Sequence, residues 1–371
     1  MPWIEIGVGV LGKVIAGRAV GWALKRATPV GAIFVDRTAA WFGRTYAEHY
    51  ASLGETELLA FYENEHPISV DLGGRHFVLP ATAAHIPIGH GRVDEQVLSF
   101  HVSADAFTLP NTLDAYVQSV QAKIAKDDRL WDGKVVRLEE LNDDRAVLRQ
   151  ASYYSALATN FAIDNKPRGR TESLRQVVHR NGSLGPFEAS PLTNHVGVVC
   201  MVESSDGLLI AQQRSKRVAL RPNGISASVS GALAWGDIST SDRGASIPLA
   251  AVLAGAVREA TEELGTELID LVYLGLLREL QRGGKPEIYF FAKSPMSFHQ
   301  IEAARKRAKD RTESTRLQGY EFHSGRRERG KSQFSFQRRI EVILEASAKS
   351  ANFTFVAGTL LSANHILHQS T

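Results

Sequence analysis

Residues 258–265 read Arg258-Glu259-Ala260-Thr261-Glu262-Glu263-Leu264-Gly265. Helical rotation of about 100° per residue puts Glu259, Glu262 and Glu263 on one stripe of a helix, and the glycine that follows is the residue type with which helices commonly stop. Three carboxylates within one turn repel one another unless something positive sits among them. A hard divalent cation, Mg²⁺ or Mn²⁺, takes oxygen ligands and leaves room for water and phosphate. Taken alone, the same spacing also suits a solvated acidic face.

The context upstream decides between the two. Ser226 to Ser230 reads as a short strand, and Gly231-Ala232-Leu233-Ala234-Trp235-Gly236-Asp237 as a glycine-bounded turn ending in a carboxylate. Together these segments resemble the box of the Nudix hydrolases, in which a glycine, a spaced glutamate and an Arg-Glu-x-x-Glu-Glu-x-Gly helix form a loop-helix-loop. Gly231, Arg258, Glu259, Glu262, Glu263 and Gly265 fall in register. Asp237 stands where glutamate is usual, Ala260 and Thr266 occupy positions that are usually apolar, and the spacer between Asp237 and Arg258 is enlarged. Ser246 suits a helix N-cap and Pro248 a first helical turn, so the helix is expected to begin near Ile247, with the extra residues in a surface loop from Ile238 to Ala245.

The flanks fit the same resemblance. Asn194 to Val202 and Leu208 to Ala211, joined by Ser204-Ser205-Asp206-Gly207, read as a β-hairpin. Leu271 to Leu277 and Ile288 to Ala292 read as two further strands, with a turn at Arg282 to Pro286. The resemblance runs from about Asn194 to Lys293 and implies the Nudix α/β/α sandwich with a mixed sheet. It implies catalysis by Arg258, Glu262 and Glu263, with Glu259, Glu262 and Glu263 holding Mg²⁺ or Mn²⁺. The reaction would be hydrolysis of the diphosphate linkage of a nucleoside diphosphate derivative. Arg258 would orient the helix carboxylates, and the general base would be Glu263, Glu287 or Glu279. Gly231 and the basic turn Arg214-Ser215-Lys216-Arg217 are placed to meet substrate phosphates, although a basic turn can equally face water. Trp131 to Leu138, Tyr153, Thr159-Asn160 and Arg214 to Ala219 resemble segments of nucleotide-sugar Nudix hydrolases of the UDP-glucose type. The alternative is a Nudix-fold binding or sensing module that keeps the pocket without the chemistry.

Composition agrees with an enzyme of two domains. The chain has 371 residues, 44% hydrophobic and 22% charged, with net charge +3, and so carries enough apolar material for more than one core. The expected arrangement is an α+β fold in two parts. Residues 1–185 form a separate N-terminal α+β domain of unknown role, and 190–371 a Nudix domain with a basic C-terminal extension. The single cysteine, Cys200, excludes an internal disulfide and lies in an apolar run that suits a buried strand. The cytoplasm is the expected compartment, and a homodimer is compatible with the sequence.

Near the N-terminus, Gly7, Gly9 and Gly12 followed by Asp36 resemble a dinucleotide-binding turn, but the strand is short and no strand-helix alternation follows. A small-residue helix from Leu11 to Lys25 is the plainer reading. Lys13, Arg18 and Lys25 interrupt it before it could span a membrane. A second helix over Ala39 to Tyr62, strands over Ile68 to Val78 and Val97 to Val102, and a helix over Leu113 to Ala125 are expected before the polar stretch at 165–183. From Arg305 to Arg339 twelve Lys or Arg face four Asp or Glu, a bias that could track nucleic-acid phosphates, although a basic helix and loop facing water is the default reading and nucleic acid is not favoured. Apolar spacing resumes from Ile340 to Ala346. His85, His90 and His101 show no metal-ligand spacing.

Overall fold

The computed structural model describes residues 55–369 apart from 73–74, 88–97, 125–129, 144, 217–222, 239–245, 323–332 and 348–350. The expected glycine turn at residues 7–12, the helix from Leu11 to Lys25, most of the Ala39–Tyr62 helix, Arg217 and His90 lie outside the described residues.

The strands in chain order are β1 (Pro67–Leu72), β2 (Arg75–His85), β3 (Ser99–Ala106), β4 (Lys134–Asn142), β5 (Arg145–Ser152), β6 (Gly197–Glu203), β7 (Leu208–Arg214), β8 (Ile225–Ser226), β9 (Val229–Ala232), β10 (Ser246–Pro248), β11 (Ile269–Glu279), β12 (Lys285–Lys293) and β13 (Ser314–Glu321). The helices are α1 (Glu55–Phe61), α2 (Asp114–Ile124), α3 (Tyr153–Ala158), α4 (Leu174–Val178), α5 (Leu249–Glu263), α6 (Phe298–Arg305), α7 (Gln333–Ser347) and α8 (Phe353–Gln369). The main sheet runs β1-β2-β11-β12-β6-β7-β13, with β9 paired to β6 and β8 to β7. It is mixed: β12 and β6 run parallel, with Glu287 opposite Gly197, whereas β11 and β12 are antiparallel. A second sheet has the order β10-β3-β5-β4.

Side-chain alternation on β6 shows how the layers form. Val199 and Met201 enter one core with Leu209, Tyr289 and Phe291 and with Phe353, Phe355 and Leu360 of α8. Val198, Cys200 and Val202 enter the other, with Val252, Leu253, Ala256 and Ala260 of α5 and with Phe100, Val136, Leu138 and Leu148 of the second sheet. A strand covered on both faces must be apolar throughout, which is why 197–203 shows no period-two pattern. Each fully buried Val or Leu here contributes about 1.5–3 kcal/mol. The result is the expected α+β sandwich around a mixed sheet.

Two expectations change. Residues 246–248 form β10, paired with β3 from His101 back to Ser99, so the helix starts at Leu249 and Pro248 is its N-cap, with φ −71° and ψ 160°. Ser246 is therefore a strand residue and no cap; neighbouring strand edges outcompeted the local capping signal. The expected division between residues 185 and 190 does not separate the sheets. β2 pairs with β11 from Ala81 to His85, and the backbone N–H of Val136 donates to the carbonyl of Leu233 at 3.0 Å. The sequence placed β11, but it took 68–78 as one strand where β1 and β2 pair antiparallel, and it gave no partners, because pairing across about two hundred residues leaves no local signal.

Candidate active site

Helix α5 buries Leu249, Val252, Leu253, Ala256 and Ala260 against β9 and the second sheet, which leaves the stripe of Glu259 and Glu263 at the opposite edge of the same face. It ends as the sequence suggests. Gly265 has φ +69°, and its N–H meets the carbonyls of Ala260 and Thr261 at 3.1 Å.

Arg258 is the hub of the box. Its Nε donates to Asp237 Oδ1 at 2.6 Å and its Nη2 to Asp237 Oδ2 at 2.9 Å, while Nη1 donates to Glu262 Oε2 at 2.9 Å. Nη2 also lies 3.0 Å from Glu259 Oε1. Asp237 Oδ2 accepts the N–H of Ala234 at 2.9 Å, so the turn after β9 is tied to the helix. Gly231 lies directly beneath Glu259: a Cβ there would be 2.2 Å from Glu259 Oε1, and the carboxylate could not rest against the strand.

The three box glutamates do not share one environment. Glu262 Oε1 accepts from Lys309 Nζ at 2.5 Å. Burial alone would raise its carboxyl, but hydrogen bonds from Lys309 and Arg258 hold it below the usual glutamate range. Glu263 is 4% exposed and receives the amide of Gln212 at 2.6 Å. Burial pushes its carboxyl well up, and the charges of Glu259 and Glu313 add to the effect, with Arg214 opposing. Burial likewise raises Glu259 to about 7, against the pull of Arg258. Helix geometry explains the split. Residues 259 and 263 are four apart and nearly eclipsed, whereas 262 is turned toward α6 and Lys309. Glu313, at the head of β13, adds a further negative charge. Neighbouring atoms crowd and raise its carboxyl, although much of the residue reaches water.

These side chains line part of a cavity of about 470 Å³. Its walls include Gly231, Arg258, Glu259, Glu263, Glu313 and Arg214, together with Trp131, Tyr153, Phe161, His195, Arg282, Lys285 and Glu287. Of the expected site residues, then, Glu259, Glu263, Arg258, Arg214 and Gly231 come together, while Glu262 faces Arg258 and Lys309. Arg214 Nε has no hydrogen-bond partner. Glu287 is paired with buried Lys285, and Arg282 Nη1 lies 3.7 Å away. Glu279, fully buried, lies beside Arg282 and does not line the cavity. Glu313 was missed because it sits in the basic stretch, where it reads as a lone acid among solvated cations. His195 and Phe161 were missed as site residues because an apolar run gives no sign of which side chain meets a cavity. Cys200 is fully buried and its thiol is raised by burial, which suits packing.

Among the described residues, no three side chains of His, Cys, Asp or Glu are arranged as a finished metal-ligand set. The donor chemistry nevertheless suits a divalent cation. Glu259 and Glu263 are hard oxygen donors, adjacent, buried and crowded by Glu313, with Arg258 and Arg214 as their cationic neighbours. No described helix is long and apolar enough to cross a membrane.

No protein-family model matches the sequence, and no curated protein matches it. Among solved structures, the chain is similar to DR0079 from Deinococcus radiodurans, at 16% identity over 44% of this chain and 80% of that one, with TM-score 0.27. It is also similar to Tm1382, a proposed Nudix hydrolase, at 16% identity over 47% and 71%, with TM-score 0.29. A Nudix hydrolase from Nitrosomonas europaea aligns at 15% identity over 43% and 92%, with TM-score 0.23.

Proposed function

We propose that this chain is a diverged Nudix hydrolase that uses Mg²⁺ or Mn²⁺ to cleave the diphosphate linkage of a nucleoside diphosphate derivative, releasing a nucleoside monophosphate. A nucleotide sugar is the first substrate to test. The observation that carries this reading is the acidic part of the cavity, where Glu259 rests on Gly231 beside buried Glu263 and burial, with neighbouring carboxylates, raises both carboxyls. Glu259 and Glu263 would hold the ion, with Glu262 joining them if it releases Lys309. Such an ion would supply charge to neutralise the diphosphate and Lewis acidity to activate water.

The chain's own residues do the remainder. Arg258 fixes the turn of Asp237 against the helix, so the carboxylates are held before substrate arrives. Arg214, lining the cavity, supplies a guanidinium for phosphate oxygens. Of the acids considered for proton removal, Glu287 is neutralised by Lys285 and Glu279 lies off the cavity, which leaves Glu263.

One observation favours the non-catalytic alternative: Glu262 is occupied by two cations. A single experiment separates the two readings. The protein is incubated with nucleoside diphosphate sugars, ADP-ribose, dinucleoside polyphosphates and nucleoside triphosphates plus Mg²⁺, and products are read by mass spectrometry. Monophosphate release that disappears in Glu263→Gln supports hydrolysis. Ligand-dependent thermal stabilisation without product supports the binding module.

A further inference from the structure

The cavity lining also holds a group of different chemistry, built by residues outside the box. Phe161 and His195 stack with centroids 5.2 Å apart and planes at 26°, and Tyr153 meets His195 edge-on at 6.0 Å. The guanidinium of Arg282 lies over the Phe161 ring at 4.5 Å. At the rim stands Trp131, 72% exposed, with its indole folded over Gly133: a Cβ on Gly133 would lie 2.3 Å from the ring. A large aromatic left in water beside a cavity forgoes burial worth having, and a free π-face at a pocket mouth suits stacking. His195 is 2% exposed and its Nδ1 has no hydrogen-bond partner, the mark of a buried polar group awaiting one. Burial, with Lys285 and Arg282 nearby, keeps this imidazole neutral, so it can offer a donor and an acceptor.

We propose that this aromatic wall seats a planar heterocycle attached to the substrate's phosphate chain, a nucleobase or a nicotinamide ring, so that the segment from Trp131 to His195 selects the substrate. The inference rests on the reading of the acidic part as the diphosphate site. It gives the chain upstream of the box a role: the bridge of Val135 to Ala234 holds that segment against the box turn and the bridge of Arg137 to His195 ties its two ends together, so the aromatic group and the acidic pair keep a fixed separation.

The test is isothermal titration without metal, using AMP, UMP, GMP, CMP and nicotinamide mononucleotide, with ribose 5-phosphate as the ring-free control. At least one ring-bearing phosphate should bind about tenfold or more tightly than ribose 5-phosphate, and which one does so tells a nucleobase from a nicotinamide. Trp131→Ala should remove that advantage, Trp131→Phe should keep most of it, and Gly133→Ala, which displaces the indole, should weaken it. Trp131 is exposed, so thermal melting should show these variants folded. Equal binding of ring-bearing and ring-free phosphates, or an advantage unchanged in Trp131→Ala, overturns the proposal. Hydrolysis is measured separately. Ring-selective binding without turnover would leave this inference standing and sink the hydrolase reading, and turnover without ring selectivity would do the reverse.

Discussion

Arg258 and Asp237, far apart in sequence, meet as a bidentate pair, Nε to Oδ1 at 2.6 Å and Nη2 to Oδ2 at 2.9 Å. The pair joins the turn after β9 to the box helix, and the same guanidinium reaches Glu259 and Glu262. A lysine offers a point charge in place of this planar fork. Arg258→Lys should therefore fold but lose rigidity at the box. Because the Arg258 side chain is about a third exposed, the stability loss should be modest, about 1–2 kcal/mol. Hydrolysis should fall far more. Equal turnover by Arg258→Lys and wild type would show that the clamp does not position the acids.

Gly231→Ala tests the seating of Glu259. The added methyl would occupy the place of the Glu259 carboxylate, the end of a flexible side chain, which can swing away without unfolding the protein. We expect a melting temperature within a few degrees of wild type and a loss of Mg²⁺-dependent stabilisation and turnover. Retention of both would mean that the glycine serves only the strand.

Gln212 holds Glu263 by its amide and accepts the hydroxyl of Ser314, so it fixes one carboxylate oxygen from beneath. Gln212→Leu removes those bonds and leaves the partners buried and unmet, at a cost of about 1–3 kcal/mol. The informative readout is the pH profile of turnover. With its amide partner gone, Glu263 should bind protons still more readily, moving the acidic limb toward higher pH. An unmoved limb would assign that limb to another group.

A different pH dependence belongs to the buried cluster of Tyr62, Arg175 and His179. Tyr62 Oη lies 2.9 Å from His179 Nδ1, and burial, with the charges of Arg175 and Arg278, lowers His179 to about 3. The folded state therefore disfavours the proton that the unfolded chain takes near pH 6.5. This stability is fully present above about pH 6.5 and is lost as pH falls toward 3, at about 1.4 kcal/mol per unit. Denaturant unfolding from pH 6.5 to 4.5 should show wild type losing about 2–3 kcal/mol more than His179→Gln. Parallel curves would contradict the assignment.

Much of the box was readable because its signals are local. Glu259 and Glu263 share a face through helix rotation, and Gly265 stops the helix by its left-handed φ. The strands at 197–203, 208–214, 269–279 and 285–293 announced themselves by apolar runs and turns. What stayed hidden depends on distant partners. Lys309 draws Glu262 aside, Glu313 arrives from the head of β13, and β3 captures residues 246–248 as a strand. Helix α8 was also missed. Its small and apolar residues are nearly all buried, so it lacks the polar stripe that marks a surface helix.

The pH response of the acidic pair follows from its charge. In the cation-free chain, a Glu259 carboxyl raised to about 7 favours folding most below the unfolded glutamate range, and that stability is lost as pH rises through 7. A cation would stand in for the proton, so the stabilisation by millimolar Mg²⁺ should grow between about pH 6 and about pH 8. A constant melting shift across that range would place any bound Mg²⁺ elsewhere.

The most direct test of the acidic part as a cation seat is a Mn²⁺ titration followed by electron paramagnetic resonance near neutral pH, on wild type and Glu263→Gln. We expect the free-ion signal to be suppressed saturably by wild type, with affinity at least about tenfold weaker in the variant. An undiminished free-ion signal with wild type, or superimposable titrations for the two proteins, would contradict it.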